Sequence, residues 1–486
     1  MDSHPTGTKF AGHSTPERLY YLLQPRVIWE MSAKIKAEAE KVSFGGMKMN
    51  LKSISQLAAA LLLGSSIAVM AQSSAPSAPT AAARGAPGAP GRAPRAPSDE
   101  FRPLARHLIY ITLPGTLTRP GFLNGIGIVV LDANDNWRFV KRIPTWEYAG
   151  SMSPESVSGV AASPVTNLIY VAARGRLGAF DLATDKLVWS VTLDGKCCER
   201  DQVTPDGKIV VVGGDLQDFW YEVDARTGKL IGKIDAPKSP NSHNLVLSPD
   251  GKLAFMSPNG KVMSIADIKS LKTVETITFG DNVRPFVLNH DASLIYANTN
   301  SLLGYEIADV KTGKVIKHIE VTSVDWKSKW NMTPRPPIPH GCPSHGIALT
   351  PDEKEVWVVD GMFNKIHIFS NTDDPKEIYT IDTTDGPFWI TFGLDGKYAY
   401  VSSGDIIDVK THKIVGSMKD EYGHTMYSEK LLDMTFNNGH LQRVSNQFAN
   451  SFGDYQTAEG LGVGPHVTPM PGASPVTLTG ANAANQ

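Results

Sequence analysis

The side chains best suited to metal chemistry, all three cysteines and four of the 13 histidines, fall in a few short segments of the 486-residue chain. Imidazole and thiolate are good ligands for Cu and Zn. The spacing His-x-Cys-x-x-His is tight enough for one ion, although it is not diagnostic of a metal site. The candidate ligands for a Cu or Zn ion are therefore His243, His340, Cys342, His345 and His424.

Charged residues near these segments offer a second chemistry. Glu199, which follows Cys198, could act as a general base, and Arg284 or the adjacent Arg200 could clamp an anion. That combination would suit a lactonase-like hydrolase, although opposite charges on one rim also simply pair. The sequence contains no GxSxG, HExxH, P-loop or CxxCH motif. The absence of CxxCH argues against a covalently attached c-type haem.

A secretory signal precedes the part of the chain that can fold. The apolar run from Leu57 to Ala71 follows lysines and ends in small residues, and it is shorter than the roughly 20 residues of a membrane-spanning helix. We therefore expect a signal peptide at residues 47–71, no transmembrane anchor after its cleavage, and a periplasmic or secreted protein. Residues 1–46 would then be a mis-annotated extension.

Low-complexity composition marks two further segments. Residues 72–100 are almost entirely Ala, Pro, Gly, Ser, Thr and Arg, which cannot bury enough apolar surface to fold. Residues 451–486 return to a similar composition. A flexible linker, a folded region at residues 101–450 and a disordered tail are the predicted organisation.

A turn motif recurs through the folded region. It reads SPVTN, TPDGK, SPDGK, NHDAS, TPDEK and GLDGK, and its second residues are 41, 44, 41, 61 and 43 residues apart. Each turn joins two apolar segments, and an Asp-x-x-Thr-x-Lys turn follows about 14 to 19 residues later. Four antiparallel strands per unit, at this period, predict an all-β propeller. Six complete units and one shared by the chain ends make seven blades, or eight if the terminal hairpin forms its own.

These two markers resemble the YVTN-type repeat of the YncE-like propeller superfamily. The position written YVTN in that family reads YVAA at Tyr170, YANT at Tyr296 and YVSS at Tyr400. The resemblance covers nearly all of residues 101–420. The superfamily is also related in architecture to the propeller domain of nitrous oxide reductase. It implies the fold, but no activity follows from it.

The propeller topology predicts which residues meet at one mouth of the central channel. The residue six before each turn marks the start of an innermost strand, and the 61-residue gap places a long Trp-containing loop at the same mouth. The predicted ligand-binding residues are Ser158, Glu199, His243, Arg284, Trp326, Trp330, His345 and Phe388. In an oxidising compartment, a disulfide from Cys342 to Cys197 or Cys198 would fix this loop, with a Cys197–Cys198 bridge as the alternative.

The charge balance limits the partners. Forty-seven Lys and Arg against 49 Asp and Glu give a formal net charge of −2, which offers no footprint for nucleic acid. We therefore predict a monomeric binding scaffold for a small ligand or a protein. The alternatives are a Cu- or Zn-dependent oxidoreductase or redox partner at the same mouth, and the lactonase-like hydrolase.

Overall fold

The recurring turns close short hairpins through side-chain hydrogen bonds. In the second turn, Thr204 Oγ1 donates to Asp206 Oδ1 (2.7 Å) and accepts from the backbone N–H of Ile209 (3.1 Å). Gly207 supplies the left-handed residue, with φ of 65°. The turns that contain Asp250 and Asp352 repeat these contacts. The Asp is thus bonded to its own turn, which explains why the motif recurs.

The computed structural model describes residues 105–114, 124–146, 157–173, 175–193, 198–214, 217–236, 242–335, 337–384, 386–446 and 456–457. Four antiparallel sheets contain four strands each. Their strands are β4 (Val157–Ser163), β5 (Leu168–Ala173), β6 (Arg176–Asp181) and β7 (Leu187–Thr192); β16 (Val283–Leu288), β17 (Leu294–Thr299), β18 (Gly304–Asp309) and β19 (Lys314–Glu320); β20 (Ser344–Leu349), β21 (Glu355–Asp360), β22 (Lys365–Ser370) and β23 (Glu377–Asp382); and β24 (Ile390–Phe392), β25 (Tyr398–Val401), β26 (Asp405–Asp408) and β27 (Lys413–Ser417).

Two larger sheets complete the described structure. An eight-stranded sheet contains β8 (Glu199–Val203), β9 (Ile209–Gly213), β10 (Phe219–Asp224), β11 (Leu230–Asp235), β12 (Ser242–Leu247), β13 (Leu253–Pro258), β14 (Val262–Asp267) and β15 (Lys272–Thr278). A six-stranded sheet contains β1 (Ala105–Pro114), β2 (Ile126–Asp132), β3 (Arg138–Ile143), β28 (Lys430–Asn437), β29 (His440–Val444) and β30 (Gln456–Thr457). The loop before β20 contains a helix, α1 (Trp326–Trp330), and a 3₁₀ turn (Pro339–Gly341).

The all-β, propeller-like arrangement of four-stranded antiparallel sheets is confirmed, but the prediction of seven separate four-stranded sheets is wrong. The described residues form six sheets. Two four-stranded groups merge because Asp235 of β11 pairs in parallel with Lys272 of β15. The chain ends share a sheet because β28 pairs with β1, and β29 and β30 extend it.

In the six groups from β4 to β27, the first strand is the innermost. First strands of successive groups contact one another, and β4, β12 and β20 are almost fully buried. The fourth strands are largely exposed, with Val188 and Ile231 about half exposed. The core therefore lies between successive groups and along the inner strands.

The predicted extension, signal peptide and linker lie outside the described residues. Most of the predicted disordered tail does too, but Gln456 and Thr457 form β30 on the free edge of β29. Among the residues that the structure describes, no helix has the length and apolar character needed to cross a bilayer.

A buried carboxyl group on β10 makes stability depend on pH. Burial, with a smaller contribution from Asp267, raises the pKa of Glu222 from 4.5 to about 7. Between these two pH values the folded protein binds more protons than the unfolded chain, so stability falls as the pH rises. We expect wild type to lose about 1–2 kcal/mol more than Glu222→Gln between pH 5 and pH 8 in urea denaturation. Parallel stability curves for the two proteins would contradict this expectation.

Candidate functional site

A β-bulge near the start of five first strands positions the side chains of the candidate site. The pairing register skips the second residue of β4, β8 and β12, and the second and third residues of β16 and β20. Bulges turn a side chain away from the regular alternation and are common beside functional sites. The bulged residues are Ser158, Arg200, His243, Arg284 and His345. Four of them belong to the set predicted from the turn spacing, with Arg200 bulged in place of its neighbour Glu199.

Arg200 is a buried guanidinium that ties three parts of the chain together. It donates from Nε to Asn244 Oδ1 (3.1 Å), from Nη1 to the Ser158 carbonyl (2.6 Å) and from Nη2 to Glu429 Oε2 (2.8 Å). The φ of Arg200 is 49°. Among the described residues, no other non-glycine residue within a strand has a positive φ. The bulge therefore holds Arg200 in a strained conformation that its hydrogen bonds stabilise.

Two glutamates link Arg200 to histidines on either side. Glu199 lies 3.5 Å from Arg200 Nη1 through Oε1 and 3.4 Å from His243 Nε2 through Oε2. Burial would raise the pKa of Glu199, but His243 and Arg200 outweigh it and hold this pKa well below its usual range. Glu429 Oε1 lies 2.8 Å from His340 Nε2, and Lys430 also contacts Glu429. The result is a continuous network from His243 to His340.

His345 lies beneath His340 and has one nitrogen without a partner. The two imidazole rings stack at 3.9 Å with an 11° interplanar angle. His345 Nδ1 is 3.3 Å from the Phe388 carbonyl, which can only accept, so we assign the proton to Nδ1. Nε2 is buried and has no hydrogen-bond partner in the described structure. Burial, followed by His340, lowers the pKa of His345 well below its usual value, so Nε2 carries a lone pair.

The ring of Trp389 makes cation–π contacts with two cationic side chains of the site. The Arg200 guanidinium carbon lies 4.9 Å from the centre of the Trp389 ring and Lys430 Nζ lies 5.4 Å from it. His345 is 6.0 Å away from the same ring. Cation–π contacts of this kind stabilise cations that are removed from water. We call the set Glu199, Arg200, His243, Arg284, His340, His345, Glu429 and Lys430 the bulge cluster.

The sequence prediction missed part of this cluster. Glu429, Lys430 and Trp389 were not singled out, and Arg200 was considered only as an anion clamp. Glu429 and Lys430 stand at the start of β28, the strand that pairs with β1. Their position at a strand entry was the available signal.

The two tryptophans of the long loop pack in a hydrophobic cluster that anchors the loop, and they do not belong to the bulge cluster. Trp326 is buried in the hydrophobic cluster that packs between β16–β19 and β20–β23, and it donates from Nε1 to Glu320 Oε1 (3.2 Å). Trp330 packs at the edge of that cluster, and Arg335 stacks 3.6 Å above its ring. Phe388, by contrast, lies beside His340, with ring centres 4.8 Å apart.

The cysteines do not form the disulfide that the sequence analysis favoured. Cys342 is a buried free thiol that donates to the Ser344 carbonyl (3.4 Å), so its predicted bridge to Cys197 or Cys198 is not formed. Burial raises the pKa of the Cys342 thiol to about 12. Cys198 is disulfide-bonded, and Cys197, the third cysteine of the sequence, lies outside the described residues. The alternative Cys197–Cys198 bridge stays a prediction.

The predicted metal ligands do not gather into one donor set. The side chain of His424 is 57% exposed and lies 3.5 Å from Asp420, and His340 is engaged by Glu429. In the described part of the chain, no group of three or more His, Cys, Asp or Glu residues has an arrangement that could hold a metal ion.

A separate cavity of about 670 Å³ lies between the β2–β3 turn and the segment around β27. It is lined by Asp135, Asn136, Trp137, Arg138, Phe139, Val415, Gly416, Ser417, Lys419 and Asp420. None of these residues belongs to the bulge cluster.

Comparisons with known proteins assign no function. No family model matches the chain. An uncharacterized protein of Staphylococcus saprophyticus is 30% identical over 133 residues, which are 27% of this chain and 35% of that protein, so the match spans about a third of the relative's length. Hydrazine synthase of Kuenenia stuttgartiensis is similar with a TM-score of 0.45 and 15% identity, over 60% of this chain and 88% of that one.

Proposed function

We propose that this protein is a periplasmic or secreted, monomeric, seven-bladed propeller of the YVTN type that binds a small ligand or a protein through the bulge cluster. The observation that carries this proposal is the buried Nε2 of His345, which lacks a partner although its charged neighbours Glu429 and Arg200 are paired. A buried polar atom without a partner is unfavourable unless something else satisfies it. A bound ligand would supply that partner.

The seven-blade count is supported by the packing between the groups of strands. Seven hydrophobic clusters lie between successive four-stranded groups when each half of the eight-stranded sheet is counted separately. The two recurring turn motifs support the YVTN assignment, and the apolar run that ends at Ala71 supports export.

The alternatives differ in how well the cluster suits them. The strongly lowered pKa of Glu199 makes it a weak base, which disfavours a lactonase-like hydrolase. A Cu or Zn ion is the second candidate, since the lone pair on His345 Nε2 could bind either ion. A metal-dependent oxidoreductase or redox partner would require further ligands, and the raised pKa of Cys342 works against its use as a thiolate.

Thermal unfolding with a panel of probes tests the binding role. Sulfate, acetate, glucose, ZnCl₂ and CuCl₂ would be added singly to wild type, His345→Phe and His424→Phe. His345→Phe keeps a ring stacked on His340 but removes Nε2, and His424→Phe changes an exposed histidine instead. A probe at a hundredfold excess over its Kd should stabilise wild type by about 2.7 kcal/mol.

The expected result is at least one probe that raises the Tm of wild type and His424→Phe but not of His345→Phe. Circular dichroism would establish that His345→Phe remains folded. If no probe raises the Tm of wild type, or if every effective probe acts equally on His345→Phe, the proposed binding site is wrong.

A further inference from the structure

The turn between β2 and β3 departs from the repeat by one residue. In five later groups, the corresponding turn has one left-handed residue four positions after its Asp, namely Asp185, Gly228, Leu271, Gly313 or His412. The β2–β3 turn has two in succession, Asn136 and Trp137, with φ of 47° and 53°. It forms one wall of the 670 Å³ cavity. Backbone strain of this kind is often retained at functional sites.

The cavity occupies a junction that direct strand pairing closes elsewhere in the fold. Where β11 meets β15, Asp235 pairs in parallel with Lys272, and Thr273 Oγ1 donates to the Asp235 carbonyl (3.1 Å). Counted from the Asp of its turn, Lys419 is equivalent to Asp235. Arg138, the first residue of β3, is equivalent to Lys272, the first residue of β15. Lys419 and Arg138 both line the cavity, so β27 and β3 leave open the place where β11 and β15 pair.

The size and the apolar walls of the cavity suit a small organic ligand. Its volume of about 670 Å³ lies within the roughly 300–1,000 Å³ that is usual for ligand pockets. Trp137 and Phe139 line it from the side of the turn, and Val415, which is 47% exposed, lines it from β27. A Cβ on Gly416 would lie 3.1 Å from the Trp137 ring. The glycine therefore allows these two walls to approach each other closely.

Two uncharged polar groups of the lining are available to a ligand. The Asn136 amide and the Ser417 hydroxyl make no side-chain hydrogen bond within the part of the chain that the structure describes. An amide carries donors and an acceptor, and a hydroxyl both donates and accepts. Asn136 belongs to the turn and Ser417 to β27. A ligand between the walls is thus offered donors and acceptors from both sides.

The charges around the cavity cancel, and most of them are already engaged. Arg138 contacts Asp135 at 2.5 Å. Asp420 accepts hydrogen bonds from the Asn124 amide (2.8 Å) and from two backbone N–H groups. With Lys419, the lining therefore carries two positive and two negative charges. An anion would meet two carboxylates as well as the two cations, whereas a neutral polar ligand meets no such conflict.

We propose that this cavity binds a neutral saccharide. A sugar ring combines apolar C–H faces with a rim of hydroxyls, each of which both donates and accepts. Its C–H faces pack on the side chains of Trp137, Phe139 and Val415, and its hydroxyls bond to those of Asn136 and Ser417. The site shares no residue with the bulge cluster, so it goes beyond the function proposed above and adds a second ligand.

Calorimetric titration of the full chain tests the proposal with separate probes. Glucose, galactose, N-acetylglucosamine, maltose and cellobiose are the saccharide probes, and sulfate is the anionic probe. At least one saccharide should bind wild type with a Kd of about 1 mM or below. If no saccharide of this panel binds, the proposal is wrong. Sulfate binding that Lys419→Met abolishes would assign the cavity to an anion and would overturn the proposal as well.

Variants with matched controls locate the binding. Ser417→Ala and Asn136→Gly each remove one hydrogen-bonding side chain, and each should weaken saccharide binding about three- to tenfold. Glycine tolerates the positive φ of Asn136, so the turn keeps its shape. Asn438→Gly makes the same change at an exposed turn residue with φ of 50°, and Ser190→Ala removes an exposed hydroxyl from β7. Both controls should bind like wild type, and circular dichroism would establish that all four variants are folded.

The cavity and the bulge cluster can be tested independently. His345→Phe alters the bulge cluster and no residue of the cavity, so it should bind the saccharide with wild-type affinity. Affinity that is lost in His345→Phe but kept in Ser417→Ala and Asn136→Gly would place the saccharide in the bulge cluster and contradict this proposal. Affinity that is unchanged in all of these variants would contradict it too. Neither result depends on whether the bulge cluster binds a ligand of its own.

Discussion

Replacing Arg200 with methionine is expected to lower the free energy of unfolding by at least about 3 kcal/mol. The side chain is 1% exposed, and its loss removes the donors to Asn244, Ser158 and Glu429. Glu429 would stay buried without the guanidinium that now pairs with it. Removing one partner of a buried ion pair is strongly destabilising because the other charge is left behind. Urea denaturation of the two proteins measures the difference.

An exposed ion pair supplies the matched control. Arg138 contacts Asp135 at 2.5 Å, but both side chains are more than half exposed, so Arg138→Met should leave the stability almost unchanged. Glu429→Gln and the double variant Arg200→Met/Glu429→Gln complete a cycle. The double variant should be more stable than the sum of the single losses predicts by at least about 1 kcal/mol. Additive losses would show that Arg200 stabilises the fold through its other contacts and not through Glu429.

The hairpins could be predicted from the sequence because their signals are local. A turn such as TPDGK fixes its own hydrogen bonds between Thr204, Asp206 and Ile209, and the turns that contain Asp250 and Asp352 repeat them. The number of separate sheets could not be predicted in this way. It depends on one parallel pairing, between Asp235 and Lys272, which neither turn motif encodes.

The candidate site could be located but not assembled from the sequence. Counting back from each turn reached the correct end of the first strands, and so found His243, Arg284 and His345. It selected Glu199 in preference to Arg200 because a bulge shifts the alternation of side chains by one residue, and no residue type identifies a bulge. Glu429 meets Arg200 across 229 residues of sequence, and that contact exists only because β28 pairs with β1.

One aromatic side chain packs at the junction between the chain-end sheet and its neighbour. Trp137, in the β2–β3 turn, packs with residues of β1 and β26 in one hydrophobic cluster. It meets Tyr398 edge-on with ring centres 4.9 Å apart, and its Nε1 donates to the Tyr400 hydroxyl (3.3 Å). Asn136 and Trp137 both have positive φ, which directs the side chain across the junction at a cost in backbone strain. The contacts of the ring must outweigh that strain.

Trp137→Ala is therefore expected to destabilise the protein by about 3–5 kcal/mol in urea denaturation, the usual range for truncating a buried tryptophan. Trp137→Phe keeps an aromatic ring and should lose less, whereas Tyr422→Ala, at a side chain 74% exposed, should lose almost nothing. Because Trp137 is not part of the bulge cluster, folded Trp137→Phe should retain wild-type affinity for any probe that binds there. A loss below about 1 kcal/mol for Trp137→Ala would mean that the other buried residues of this hydrophobic cluster hold the junction without this side chain. The strained turn at Asn136 and Trp137 would then need another explanation.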